Sequence, residues 1–155
     1  MVEMNRREML VAFGALAAFG GGVAGAQAGP AGGPDGKLSQ PTVFEYDKLP
    51  VKHNANGGES RQVFSGTLVT GEFMEVHETT LPPGQEPHPP HRHSHSEVLL
   101  IREGHLEYSG DGKLMPVGPG GVVFSASHVL HGLKNVGTVM ASYFVVAVGV
   151  QKAES

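Results

Sequence analysis

The sequence of 155 residues contains no cysteine and no tryptophan. Without cysteine there is no disulfide, no thiolate metal site and no cysteine nucleophile, so any bound metal must be held by nitrogen and oxygen. Aromatic residues make up only 6% of the chain and charged residues only 17%, and the formal net charge of −4 includes no basic stripe. The electrostatic footprint of a nucleic-acid binder is therefore missing. Long helical periodicities are missing too. In their place, 23 glycines and 11 prolines punctuate short runs rich in Val, Phe, Leu and Thr, which is the pattern of an all-β domain. The length suits one domain with a real core and is too short for two ordinary ones.

Only one extended apolar run occurs before the strand-like segments, Met9 to Ala26, and Gly14, Gly20, Gly21, Gly22 and Gly25 make it mild. It is shorter than the ~20 apolar residues that span a bilayer. Arg6–Arg7 stands just ahead of it and Ala26-Gln27-Ala28 closes it. That combination resembles a twin-arginine (Tat) export signal with cleavage after Ala28. Residues 1–28 are accordingly read as a signal peptide, residues 29–40 as a flexible leader and residues 41–150 as the folded domain. The location expected from this is the periplasm, with no stable membrane insertion after cleavage.

Nine strand-like runs follow: TVFEY (42–46), RQVFSGTLV (61–69), EFMEVHETTL (72–81), EVLLIR (97–102), HLEYS (105–109), KLMPV (113–117), GVVFSA (121–126), VLHGLKN (129–135) and VMASYFVVAV (139–148). NANGG, PPGQ, SGDG and GPGG separate them with turn chemistry. Short strands at this spacing indicate a sandwich or barrel.

The chemistry concentrates in HPPHRHSHSE (88–97). A strand shows one face at every second residue, so His91 and His93 point the same way, and Glu97 opens an apolar strand with Leu99 and Ile101 on its own face. Downstream, His131 shares a face with Val129, Leu133 and Asn135 and can project into the same interior. Three histidines and one glutamate make a site for one divalent transition ion, such as Mn, Fe, Ni, Co, Cu or Zn.

Gly84-x6-His91-x-His93-x3-Glu97-x6-Gly104 is similar to the first cupin motif, and Gly120-x5-Ala126-x-His128-x2-His131-x3-Asn135 resembles the second. The departures are one extra residue after Gly84, and Gly121, Ala126 and His128 where Asp, Pro and Gly are usual. All four ligand positions are intact. The resemblance covers roughly residues 60–148. It implies a small single-domain jelly-roll β-barrel with one metal inside, held by His91, His93, Glu97 and His131.

Cupins host dioxygenases, isomerases, decarboxylases and plain binding modules, so the fold alone does not give the function. Four protein ligands leave an octahedral ion up to two open positions. The leading expectation is thus a metal-dependent, dioxygenase-like oxidoreductase acting on a small chelating substrate, with Glu97 able to act as the base. A metal-assisted isomerase or lyase and a non-catalytic periplasmic binding module are the alternatives. His88 and His95 are read as exposed or as supporting the ligands, and His77 and His105 as ordinary sheet residues. His128 lies near a turn at the barrel mouth, where contact with substrate is the less favoured reading. Val98 and Leu100 make the Glu97 strand apolar on its outer face as well, so a homodimer is expected to cover it.

Overall fold

Nine strands form among the described residues, 36 and 38–149, of this computed structural model. They are β1 (Val51–His53), β2 (Glu59–Thr67), β3 (Phe73–Leu81), β4 (Ser96–Glu103), β5 (Leu106–Gly110), β6 (Lys113–Val117), β7 (Val122–Ser125), β8 (His131–Asn135) and β9 (Ala141–Gly149). No α-helix occurs among these residues, so the all-β expectation is met. Residues 1–28, read as a signal peptide, lie outside the described residues, as does most of the expected leader.

Two antiparallel sheets result, one in the order β1-β2-β3-β9-β4-β7 and one in the order β6-β5-β8. Their inner faces meet in a core of Leu81, Leu99 and Ile101 from β3 and β4, Leu106 and Tyr108 from β5, Leu133 from β8, and Tyr143 and Val145 from β9. Period-two alternation decides which residues enter that core. On β4, Leu99 and Ile101 are buried while Leu100 is exposed.

β9 lies between β3 and β4, and its registers to both align residues across the sheet. The rows are Glu75–Ala147–Glu97, His77–Val145–Leu99 and Thr79–Tyr143–Ile101. These rows set the geometry of the site described below.

Two sequence expectations need correction. Residues 42–46, read as a strand, belong to no strand of either sheet; a single 3-10 turn, Tyr46–Lys48, ends the segment instead. Their bulky residues serve another purpose. The Phe44 ring packs on Phe64 at 5.4 Å, and the Tyr46 hydroxyl reaches Glu78 Oε1 at 3.4 Å. Glu78 is fully buried, with Arg61 at 3.3 Å and Arg102 at 3.7 Å from its carboxylate oxygens. The first strand is instead Val51–His53, whose three residues are all exposed and carry no alternation to read.

Small local devices hold the ends of strands. Asp111 and Gly112 both have positive φ, 49° and 76°, and close the β5–β6 hairpin as a two-residue turn; Asp-Gly suits that turn because both positions need left-handed backbone. Gly104 also has positive φ, and a Cβ there would meet the Ala141 Cβ at 2.6 Å.

Asn135 is the main polar tie inside the barrel. It is fully buried, its Nδ2 donates to the carbonyls of Leu81 (2.7 Å) and Val139 (2.9 Å), and its Oδ1 accepts the Gly137 N–H (2.9 Å). One side chain thus joins the end of β3 to the turn after β8. Truncating it would leave buried carbonyls without donors, which costs more than the bonds themselves contribute. Asn135→Ala is expected to lower stability by about 3 kcal/mol, read as a shift of the urea midpoint with an unchanged slope.

Candidate metal centre

His91 precedes β4 in a stretch that is not a continuous strand. It forms an isolated bridge to His131, the first residue of β8, with both backbone bonds made: His91 N–H to His131 O at 2.9 Å and the reverse at 3.1 Å. The expectation that His91 and His93 alternate along a regular strand is therefore corrected, since His93 sits in irregular backbone. The two rings nevertheless converge.

Backbone and hydroxyl bonds lace this stretch to the loop before β8. The His128 N–H donates to His93 O at 2.8 Å and Arg92 donates to His128 O at 3.0 Å. Ser127 Oγ donates to Ser94 O at 2.7 Å, and its N–H to Ser96 Oγ at 3.2 Å. His128 occupies left-handed backbone, φ 63°, at a position where the resembled motif has glycine. A non-glycine residue there costs on the order of 1 kcal/mol, and the two bonds to its backbone hold it in place.

The imidazoles of His91, His93 and His131 form a triangle with ring centres 4.6 to 5.2 Å apart. One nitrogen from each lies within 4.8 Å of the others. Glu97 closes the group, with Oε1 3.2 Å from His93 Nε2 and Oε2 3.6 Å from His131 Nε2. All four residues proposed from the sequence are thus brought together.

The hydrogen bonding shows what the cluster is prepared for. His93 Nδ1 donates to His95 O at 2.8 Å and His131 Nδ1 to Val129 O at 2.9 Å. In a neutral ring this fixes the proton on Nδ1 and leaves the lone pair on Nε2. Those two Nε2 atoms, together with His91 Nδ1, are buried and have no hydrogen-bond partner; the carboxylate oxygen 3.2 Å from His93 Nε2 lacks the geometry for one. Buried acceptors that face each other without a donor are costly. A cation satisfies all of them together, and the carbonyl-anchored imidazole is how proteins orient metal-ligating histidines. The donor set of three nitrogens and a carboxylate therefore fits a divalent transition ion.

Electrostatics favour the ligand-competent forms. Burial, then the neighbouring His88, His131 and His93 rings, lower the His91 pKa from its ordinary value, which favours the neutral ring. Burial alone would raise the Glu97 pKa, but His93, the His95 hydrogen bond and His131 outweigh it and hold the carboxyl below its usual range. Both shifts have one sign. Each group favours the fold while deprotonated, and that contribution is lost as pH falls, first through the His range near 6.5 and then through the carboxyl range.

His95 lies beside this cluster and forms a second group of possible ligand atoms with His93 and Glu97. Its ring stacks on His93 at 3.7 Å and its Nε2 lies 3.2 Å from Glu97 Oε1. His88 is exposed and meets His91 edge-on at 4.2 Å.

A cavity of about 790 Å³ opens against Glu97 and His131. Its walls include His77, Thr79, Leu99, Tyr143 and Val145, and its mouth is formed by Asn54 and residues 84–89. His77 was read as an ordinary sheet residue, and this is corrected: it lines the cavity, with Nδ1 3.1 Å from Glu75 Oε1. The sequence offers no sign of it, because the wall exists only through the pairing of β3 with β9. Burial holds the Tyr143 hydroxyl well above its usual pKa, so it is neutral.

Comparison with known proteins agrees with this fold. Residues 77–147 match the cupin domain family. Solved structures similar to this chain include an RmlC-like cupin from Shewanella frigidimarina NCIMB 400, at 17% identity and TM-score 0.60, covering 74% of this chain and 96% of that one. The fold is a cupin jelly roll. A predicted oxalate decarboxylase from Thermotoga maritima matches at 20% identity and TM-score 0.58, covering 69% of this chain and 98% of that one. A cupin-superfamily sugar phosphate isomerase from Silicibacter pomeroyi matches at 17% and 0.56, covering 70% and 76%. At these identities the likeness is one of fold. No curated protein matches the chain significantly.

In this protein, His131→Ala is expected to abolish measurable Zn(II) binding in calorimetric titration. His95→Ala should weaken binding by about 10–100-fold, the usual cost of losing a group that orients a ligand. Equal loss in both variants would mean that the histidines chelate as a loose tract.

Proposed function

We propose that this cupin holds one divalent transition ion through His91, His93, Glu97 and His131 and works as a metal-dependent oxidoreductase on a small chelating substrate. The observation that carries the reading is the set of three buried, unpartnered imidazole nitrogens beside a carboxylate, at the inner end of a cavity large enough for an organic ligand. Bound there, the ion would supply Lewis acidity and up to two exchangeable positions, for a substrate oxygen pair or for one substrate oxygen and dioxygen.

The chain's own residues account for the remaining steps. Leu99, Leu133 and Val145 give the cavity apolar walls that exclude water from the reacting atoms. Glu97, kept ionised by His93, His95 and His131, is the group placed to take a proton from an enol or catechol hydroxyl. His95, bonded to Oε1, steadies that carboxylate. Dioxygen is the oxidant, and both of its atoms enter the oxidised product. The proposed setting is the periplasm, on the strength of Arg6–Arg7 and Ala26-Gln27-Ala28.

A metal-assisted isomerase or lyase is the second reading, favoured by the names of two structural neighbours. A spectroscopic test separates an open site from a closed one. Protein loaded anaerobically with Fe(II) and exposed to nitric oxide is expected to give an iron–nitric oxide signal in electron paramagnetic resonance, and added catechol should perturb it. Absence of the signal in fully loaded protein would indicate a closed, structural site, as in a binding module.

We also propose that a second copy covers the outer face of the larger sheet. Leu100 pairs across to Val122, and Val98 to Phe124; Leu100, Val122 and Phe124 are 42%, 61% and 66% exposed. A continuous apolar stripe of this kind is uncommon on a monomer. Light scattering at micromolar concentration is expected to give twice the chain mass, and Phe124→Glu should return the monomer.

A further inference from the structure

The charges around the cavity are arranged in a way that the ligand cluster does not require. Among the described residues lining it there is no lysine and no arginine. The arginines of the barrel are committed elsewhere: Arg61 and Arg102 to Glu78 on the opposite face of the sheet, and Arg92 to the His128 carbonyl. Two acidic residues do line the cavity, Glu86 at the mouth and Glu97 at the inner end. A third, Glu75, sits against His77 at 3.1 Å, so any positive charge on that ring is matched at once.

An anionic group on a ligand would therefore find no permanent counter-charge in these walls, whose basic groups are the imidazoles of His77, His88 and His131 alone. Leu99, Leu133 and Val145 offer it no hydrogen bond, and an ionised group taken from water into such surroundings without a partner pays heavily. A divalent ion at the inner end, offset by Glu97, leaves one net positive charge. That charge is used by the chelating oxygen pair itself. Any further carboxylate or phosphate would lie toward Glu86 at the mouth, where like charges repel. Neutral groups are better served. His77, with Nδ1 donating to Glu75, presents Nε2 as an acceptor, and Asn54 and Gln85 offer amides at the mouth. The volume points the same way, since about 790 Å³ is far more than a two-carbon dianion fills.

We infer that the cavity selects a ligand that is uncharged apart from its chelating oxygen pair and discriminates against carboxylated and phosphorylated molecules. This rests on the chelating role assigned to the metal centre above. It also separates this chain from what two of its structural neighbours are named for, oxalate and sugar phosphates.

The test uses two probes with the same diol. Protocatechuate carries a ring carboxylate and its methyl ester does not, while size and chelating atoms are nearly alike. Calorimetric titration of the Zn(II)-loaded protein, with the metal-free protein as reference, is expected to show the ester binding at least about tenfold more tightly. Gln85→Arg places a cation at the exposed mouth without touching the ligand cluster, and it should bring the acid toward the ester. Equal or tighter binding of the acid by the unmodified protein would overturn the inference while leaving chelation intact. An unchanged ratio in Gln85→Arg would overturn it too, by showing that wall charge does not set the preference. If neither probe binds, or both bind the metal-free protein equally well, the chelating reading fails and this inference falls with it.

Discussion

The two-way backbone pairing of His91 with His131 is the contact on which the site depends. A residue from the irregular stretch before β4 is joined to the first residue of β8, and directly opposed residues of an antiparallel pair present their side chains on the same face. The same two segments are joined again at their other ends, where Gly84 N–H donates to Asn135 O and Asn135 N–H donates to Gln85 O. Between these two ties, the stretch from Gln85 to His91 is longer than the β8 segment opposite it. The excess bulges outward. Pro87, Pro89 and Pro90 have no N–H to offer the ladder, so nothing pulls the bulge back. It forms the cavity mouth instead, and the extra residue that separates Gly84 from His91 relative to the cupin pattern falls within it. A single irregularity thus brings two ligands together and opens the route to them.

Binding and stability pull in opposite directions at the cluster. Three buried, unpartnered imidazole nitrogens and a carboxylate, held a few ångströms apart, contribute little to folding without a cation between them. The surrounding structure holds them there through Asn135, the Ser127 bonds and the His93 and His131 ties to carbonyls. Such a cluster persists because neighbouring elements over-determine it, and that is the physical reason for reading it as a functional centre.

What was legible in the sequence follows from how local each signal is. The alternation Glu97, Leu99, Ile101 is a property of one strand, and β4 keeps it. His131, Leu133 and Asn135 are buried together on β8 for the same reason. Two signals misled or were silent. The aromatic residues of TVFEY, Phe44 and Tyr46, lie against the sheet near Phe64 and Glu78 without joining it, and Val51–His53 pairs at an edge with all three residues exposed. Neither outcome has a local cause. The cavity wall was illegible for a further reason: His77 and Leu99 become neighbours only because β9 inserts Val145 between them.

That insertion also explains why ligands and specificity can vary separately in this fold. The candidate metal ligands come from the His91–Glu97 stretch and from β8, whereas β3 and β9 supply the wall beyond them. In the row Glu75–Ala147–Glu97, the middle residue is small, so its side chain adds little bulk between the two carboxylates. One row further along, His77 and Leu99 flank Val145 and narrow that space with one polar and two apolar groups. Changes at such wall positions alter what fits beside the ion without moving the ion's own ligands. Cupins with different named activities can therefore share one barrel, and the chemistry particular to this chain has to be sought on its β3–β9 wall.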